Sequence, residues 1–134
     1  MCGDLLDMTE RQSPYLRPMT IIFYVEGTPR PKQSYRHSKH GGYTPARVKA
    51  WQEAVALAAK QEMAGADPLA GPLAVEMAFH LPDRRKRDLD NLSKGVLDGM
   101  NGIVFEDDQQ VTELKLTKQV SKKFPGVLVK VVRA

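Results

Sequence analysis

A single cysteine, Cys2, stands near the start of this 134-residue chain, so no internal disulfide can staple it. Small secreted domains lean on such staples, and a chain without them suits a reducing cytoplasm. No apolar run approaches the roughly 20 residues that a membrane-spanning helix needs. The first residues include Asp4 and Asp7 and lack an apolar segment, which argues against a signal peptide. The histidines, His37, His40 and His80, lie far from Cys2 and do not make the closely spaced Cys/His sets of zinc sites. Internal repeats and low-complexity tracts are also missing.

What remains is a chain of a length that suits one domain, with 42% hydrophobic residues to build its core. The net charge of +4 identifies no partner, but its distribution is informative. Basic residues crowd into Arg30–Lys39, Arg84–Arg87 and Lys115–Lys130, while acidic ones gather at Asp88–Asp90 and Glu106–Asp108. A basic surface around a small acidic pocket suits a nuclease, which must attract phosphates while holding a cation. The plainer reading, solvated charged faces, holds only if the acidic spacing is arbitrary.

Residues 1–18 show no period and read as a flexible leader, with the folded domain over 19–134. Thr20–Glu26 is rich in β-branched and aromatic residues and predicts a strand stopped by Gly27-Thr28-Pro29. Residues 27–43 predict a long basic loop, closed by a turn at Gly41-Gly42. Thr44 as N-cap and Pro45 at the first helical position open a helix. Val48, Trp51, Val55, Ala58 and Ala59 continue it at helical spacing to about Met63, before Gly65. Trp51 therefore belongs to the core. Leu73–Leu81 alternates cleanly as a half-buried strand, with Glu76 and a partnerless His80 facing outward. A second helix covers Leu89–Met100. Val111–Lys118 and Val127–Arg133 predict two strands joined as a hairpin across Ser121–Gly126. The fold class is α/β, a single domain with a small mixed sheet and two helices in the order β-loop-α-β-α-β-β.

The chemistry concentrates in residues 83–111. On a helix turning about 100° per residue, Lys94, Asp98 and Asn101 fall on the same side as Asp90. Leu89, Leu92, Val96, Leu97 and Met100 form the opposite, apolar stripe. Asp88 sits at the helix start, two residues from Asp90, so both carboxylates can face one cation, and a helix N-terminus tolerates anions. The plainer readings are a capping aspartate, a polar turn at Asp107-Asp108, and an i,i+4 pairing of Lys94 with its neighbours. Capping, however, needs only one of Asp88 and Asp90. Several aspartates without a Cys/His cluster fit Mg²⁺ or Mn²⁺ rather than zinc. Arg30, Lys32, Arg36 and Lys39, with Arg84, Arg85, Lys86 and Arg87, are candidate phosphate contacts, and Tyr35 a candidate stacking side chain. His37 and His40 read as solvent-exposed loop residues.

Together, RDLDNLSK, LDG and VFEDDQQV resemble the core motif of the RusA family of Holliday-junction resolvases, with its DxDN-x-x-K and DDxQV segments. VEGTPRPKQSYR resembles that family's GxPxPK-type N-terminal segment, and the resemblance runs from about Thr20 to Arg133. It implies metal-dependent hydrolysis of phosphodiesters at four-way DNA junctions, in a recombination, repair or prophage setting. It also implies that Asp88, Asp90 and Asp108 hold the metal and that Lys94 is the basic catalytic residue, with Asp98 and Asp107 at further recurrent positions. Junction resolution needs two equivalent nicks and hence a two-fold homodimer. The competing readings are a nuclease for flaps, forks or other branched DNA, and a non-catalytic DNA-binding module whose aspartates are caps and turns.

Overall fold

Each stretch with period-two alternation forms a strand, and each with helical spacing forms a helix. The computed structural model describes residues 20–31, 36–38, 41–43 and 46–134. The elements are β1 (Thr20–Glu26), β2 (Arg36–Ser38), β3 (Gly41–Tyr43), α1 (Ala46–Met63), β4 (Leu73–Leu81), α2 (Leu89–Met100), β5 (Val111–Val120) and β6 (Gly126–Arg133). A 3-10 turn at Asp108–Gln110 leads into β5. The expected leader, Lys32, Tyr35, Lys39 and His40, and the Thr44-Pro45 helix start lie outside the described residues.

The predicted α/β architecture is the one observed, a four-stranded mixed sheet in the order β1-β6-β4-β5. β4 and β5 run parallel, β6 runs antiparallel to both β1 and β4, and α2 provides the crossover that a parallel pair requires. The hairpin expected between β5 and β6 does not exist. β6 inserts between β1 and β4, and residues 121–125 pass over the end of β4 to reach it. The Ser121 amide donates to the Leu81 carbonyl at 2.7 Å, and the Tyr24 hydroxyl donates to the Phe124 carbonyl at 2.8 Å, tying this link to the strand ends. Crossing two strand spacings needs only about 10 Å, which a short link spans easily. The basic loop also differs from expectation: it contains the antiparallel ribbon β2–β3, with Gly41 and Gly42 inside β3.

Both helices cover one face of the sheet. Ile21, Phe23 and Val25 from β1, the odd-numbered residues of β4 and Val127, Val129 and Val131 from β6 are buried there. Val48, Trp51, Val55, Ala59 and Met63 of α1 and Leu92, Val96 and Met100 of α2 close the core from above. The other face is open, and His80 on it meets the Tyr24 ring edge-on and the Gln119 side chain at 3.5 Å, so it does have partners.

The helices approach most closely at Gly99. A Cβ there would lie 2.8 Å from Val55 Cβ and 3.0 Å from the Gln52 carbonyl. Gly99→Ala is therefore expected to destabilise the fold by about 1–2 kcal/mol, overpacking outweighing the helix propensity that Ala gains. A urea midpoint equal to the wild-type value would show that the helices part at no cost.

Candidate metal centre and nucleic-acid interface

The chain leaves β4 at Leu81 and enters α2 through residues 82–88, a segment pinned at several points. Arg87 is the largely buried member of the basic run, its side chain only 11% exposed, and its Nη1 donates to Asp83 Oδ1 at 2.7 Å. That hydrogen bond, aided by the Arg85 amide, holds the Asp83 carboxyl below the usual carboxylate range. Lys118 of β5 donates from Nζ to the Arg87 carbonyl at 2.8 Å, fixing the last residue before the helix cap.

Asp88 is the N-cap of α2, and its Oδ1 accepts from the Asp90 amide at 3.2 Å. The capping reading is thus realised at Asp88. It uses one carboxylate oxygen and leaves Asp90 to another role. Asp90 Oδ2 lies 3.3 Å from Lys94 Nζ, and both side chains are well exposed. Ser93, which no motif or spacing singles out, is buried and donates to the Asp90 carbonyl at 2.7 Å, closing the first turn. The acidic pair and Lys94 therefore form one exposed patch at the helix start, as the helical spacing predicts. Asp98 follows one turn on from Lys94 and is half-buried.

Asp107 and Asp108 sit elsewhere. Asp107 caps the 3-10 turn, accepting from the Gln109 amide at 3.0 Å, while Gln110 Oε1 accepts from the Glu106 and Asp107 amides. Gln110 Nε2 also donates to the Leu69 and Gly71 carbonyls, which ties this turn to the chain just before β4. That end of the sheet is opposite the one where β4 hands over to α2. The twelve residues of α2 separate the two acidic pairs, a length of about 18 Å. Among the described residues, no three His, Cys, Asp or Glu side chains cluster as a metal would need.

The basic candidates fall partly together. Arg30, Pro31, Ala46, Arg47, Val48, Arg85, Lys86 and Arg87 line one open groove of about 500 Å³. Arg84 is exposed beside it, and Arg36 lies on β2 opposite Tyr43. Lys32 and Lys39 lie outside the described residues. Arg47 was missed by sequence reasoning, although a signal was present. α1 has no acidic residue in its first turn and begins with Ala46-Arg47. A cation there opposes the helix dipole unless an anion joins it.

A mixed α/β domain that sets two carboxylates and a lysine at a helix start, next to an arginine-lined groove, has the make-up of a DNA hydrolase. A family model described as endodeoxyribonuclease RusA matches residues 26–132. The crossover junction endodeoxyribonuclease RusA of Aquifex aeolicus (strain VF5) is 32% identical over 114 residues, covering 83% of this chain and 90% of that protein. The proteins of that name from Escherichia coli (strain K12) and Enterobacteria phage 82 are each 36% identical over 85 residues, 63% of this chain and 70% of theirs. The chain belongs to the RusA family of endodeoxyribonucleases.

Proposed function

We propose that this protein is an Mg²⁺-dependent endonuclease, able to use Mn²⁺, that resolves four-way DNA junctions in the cytoplasm by paired nicks and acts as a homodimer. The observation that carries this reading is the patch of Asp88, Asp90 and Lys94 beside the basic groove, in a chain of the RusA family. A set of aspartates with no cysteine or histidine clustered beside them among the described residues fits a hard cation. Bound there, the ion supplies a more acidic water and offsets charge on the leaving oxygen. Asp88 keeps one oxygen for the cap and one for the ion. Lys94 stands beside Asp90 to meet charge that develops on the phosphate. Arg87 holds the cap in place, and the groove residues carry the DNA backbone to it.

Asp108 is the third ligand in this reading, and the length of α2 bears on how it serves. Magnesium–oxygen bonds are about 2.1 Å, so one ion cannot join both ends of the helix. The split supports a composite site, in which Asp108 reaches the Asp88–Asp90 pair of a second copy. A dimer then carries two sites, one for each strand to be cut.

The test is a synthetic four-way junction compared with duplex and flap, with and without Mg²⁺, with the cut positions mapped. Symmetric cuts confined to the junction and dependent on Mg²⁺ are expected. Equal cutting of the flap would make this a general branched-DNA nuclease, and binding without any nick would leave a binding module. The groove has its own test. Ala substitutions of Arg30, Arg47, Arg85 or Lys86 should each lower the slope of log affinity against log salt by about 0.9 for each phosphate no longer neutralised. An unchanged slope in all of them would place DNA on another surface.

A further inference from the structure

β5 is the longest strand of the sheet and lies at its edge, paired only with β4 among the described residues. None of its ten residues is buried. Natural edges are usually short, bulged or interrupted by proline to prevent pairing with another chain. β5 is neither short nor broken by proline; its pairing with β4 slips by one residue at Thr112, and its charged residues, Glu113, Lys115 and Lys118, restrict which strand it can accept. We infer that β5 is the dimer seam: it pairs antiparallel with β5 of a second copy about a two-fold axis at Leu114, with Glu113 of each protomer opposite Lys115 of the other. The inference rests on the homodimer reading above and adds the surface and the register.

The charge pattern selects that register. On the open face of the sheet, Lys130 of β6, Glu76 of β4 and Lys115 of β5 stand side by side, an alternating row that stops at the edge. Glu113 occupies the same face one row away, beside Ala74. A two-fold axis normal to the sheet keeps faces matched, so residues opposite one another past the slip at Thr112 must both lie on the open face or both on the helix face. Lys118 points to the helix face with Phe79, which leaves Lys115 as the lysine of β5 that Glu113 can meet. Centring the pairing on Leu114 continues the row as Lys130, Glu76, Lys115 and then the second copy's glutamate, and does so twice. Centring on Glu113 or on Lys115 sets like charges against each other, which destabilises a strand pair.

The helix face agrees. Leu114 is 42% exposed although it flanks the buried Val75, which in turn flanks Val131. In this register Leu114 stacks on its own copy, and the core row of Val131, Val75 and Leu114 runs on through the seam. The geometry also serves the split acidic pairs. Antiparallel pairing lays the start of one β5 beside the end of the other. The Asp107–Asp108 turn precedes the start, and the Asp88 cap is held at the end by Lys118. One seam therefore closes both composite sites.

Two measurements test the register. In a Cys2→Ser background, Leu114→Cys should cross-link to its copy on mild oxidation, since directly opposed Cα atoms lie about 4.5–5.5 Å apart. Leu116→Cys should not, because its copy lies about 13 Å along the strand. Glu113→Lys and Lys115→Glu should each appear as monomers by light scattering and lose junction cleavage, whereas mixing them should restore both dimer and cleavage, every seam pair again joining opposite charges. If both variants remain dimers and Leu114→Cys does not cross-link, the seam lies elsewhere and the homodimer reading stands. A wild-type protein that cleaves fully as a monomer would overturn both.

Discussion

Asp88→Asn and Asp90→Asn are each expected to reduce Mg²⁺-dependent junction cleavage by roughly 100-fold or more, while junction affinity in EDTA stays the same or rises. The asymmetry follows from what each side chain does in the fold. Asn caps a helix as well as Asp does, and its carbonyl oxygen can keep the contact that Asp88 Oδ1 makes with the Asp90 amide. Loss of the charge weakens the dipole interaction by about 0.3–1 kcal/mol, too little to unfold the protein. Asp90→Asn weakens an exposed i,i+4 pair with Lys94, worth roughly 0.3–0.5 kcal/mol. A neutral amide is nonetheless a poor ligand for a hard cation. Removing negative charge from a surface that must meet phosphates relieves repulsion when no metal is bound. Lys94→Ala should also lose rate while binding normally. Gel-shift affinity in EDTA and cleavage in Mg²⁺, measured on the same junction, separate the two effects. Near-normal cleavage by both Asn variants would return these residues to a purely structural role.

A second large effect is expected from mixing two inactive proteins. Asp88→Asn and Asp108→Asn should each be dead as homodimers, yet a mixture that exchanges subunits should nick junctions at close to the rate of one wild-type site. In the mixed dimer, one composite site combines both substitutions and the other contains neither. The product should be a junction cut in one strand of the pair, because the second nick has no site. Were the acidic residues assembled within each chain, every site in the mixture would carry a substitution and no nicking would return. Denaturing gels that resolve nicked from resolved product give the answer directly. The Asp107→Asn protein serves as the comparison. Its loss should be milder, since Asn can still accept from the Gln109 amide and hold the turn.

The elements most visible in the sequence were those whose burial follows from a simple period. β4 and α2 have the bounds that alternation and helical spacing predict, because each presents one clean apolar face to a single core. Neighbour relations were not visible. β5 and β6 are close in sequence, and proximity favours a hairpin, yet periodicity along a strand says nothing about which strand lies beside it. A clue was present in their composition. Gly126–Arg133 is an almost unbroken apolar run, suited to a central strand, whereas Val111–Val120 mixes charge onto both faces, as an edge does. For the site, residues within one helical turn could be placed by geometry, which is why Asp88, Asp90 and Lys94 come together as expected. Asp108 could not, since its position depends on how the chain returns from α2. Arg47 stayed hidden because its significance lies in facing Arg30 and Arg85 across the groove, a juxtaposition of distant segments.

The place of β6 has a consequence for synthesis. It is the last of the six strands to leave the ribosome, and it fills the gap between the first strand and the fourth. Until it emerges, β1 has no neighbour in the sheet, and the apolar faces of α1 and α2 have only part of a floor to rest on. Folding therefore waits for the C-terminal segment rather than proceeding from the N-terminus as the chain lengthens. A truncated nascent chain would keep only β4 and β5 as a two-stranded pair, too small a sheet for independent stability.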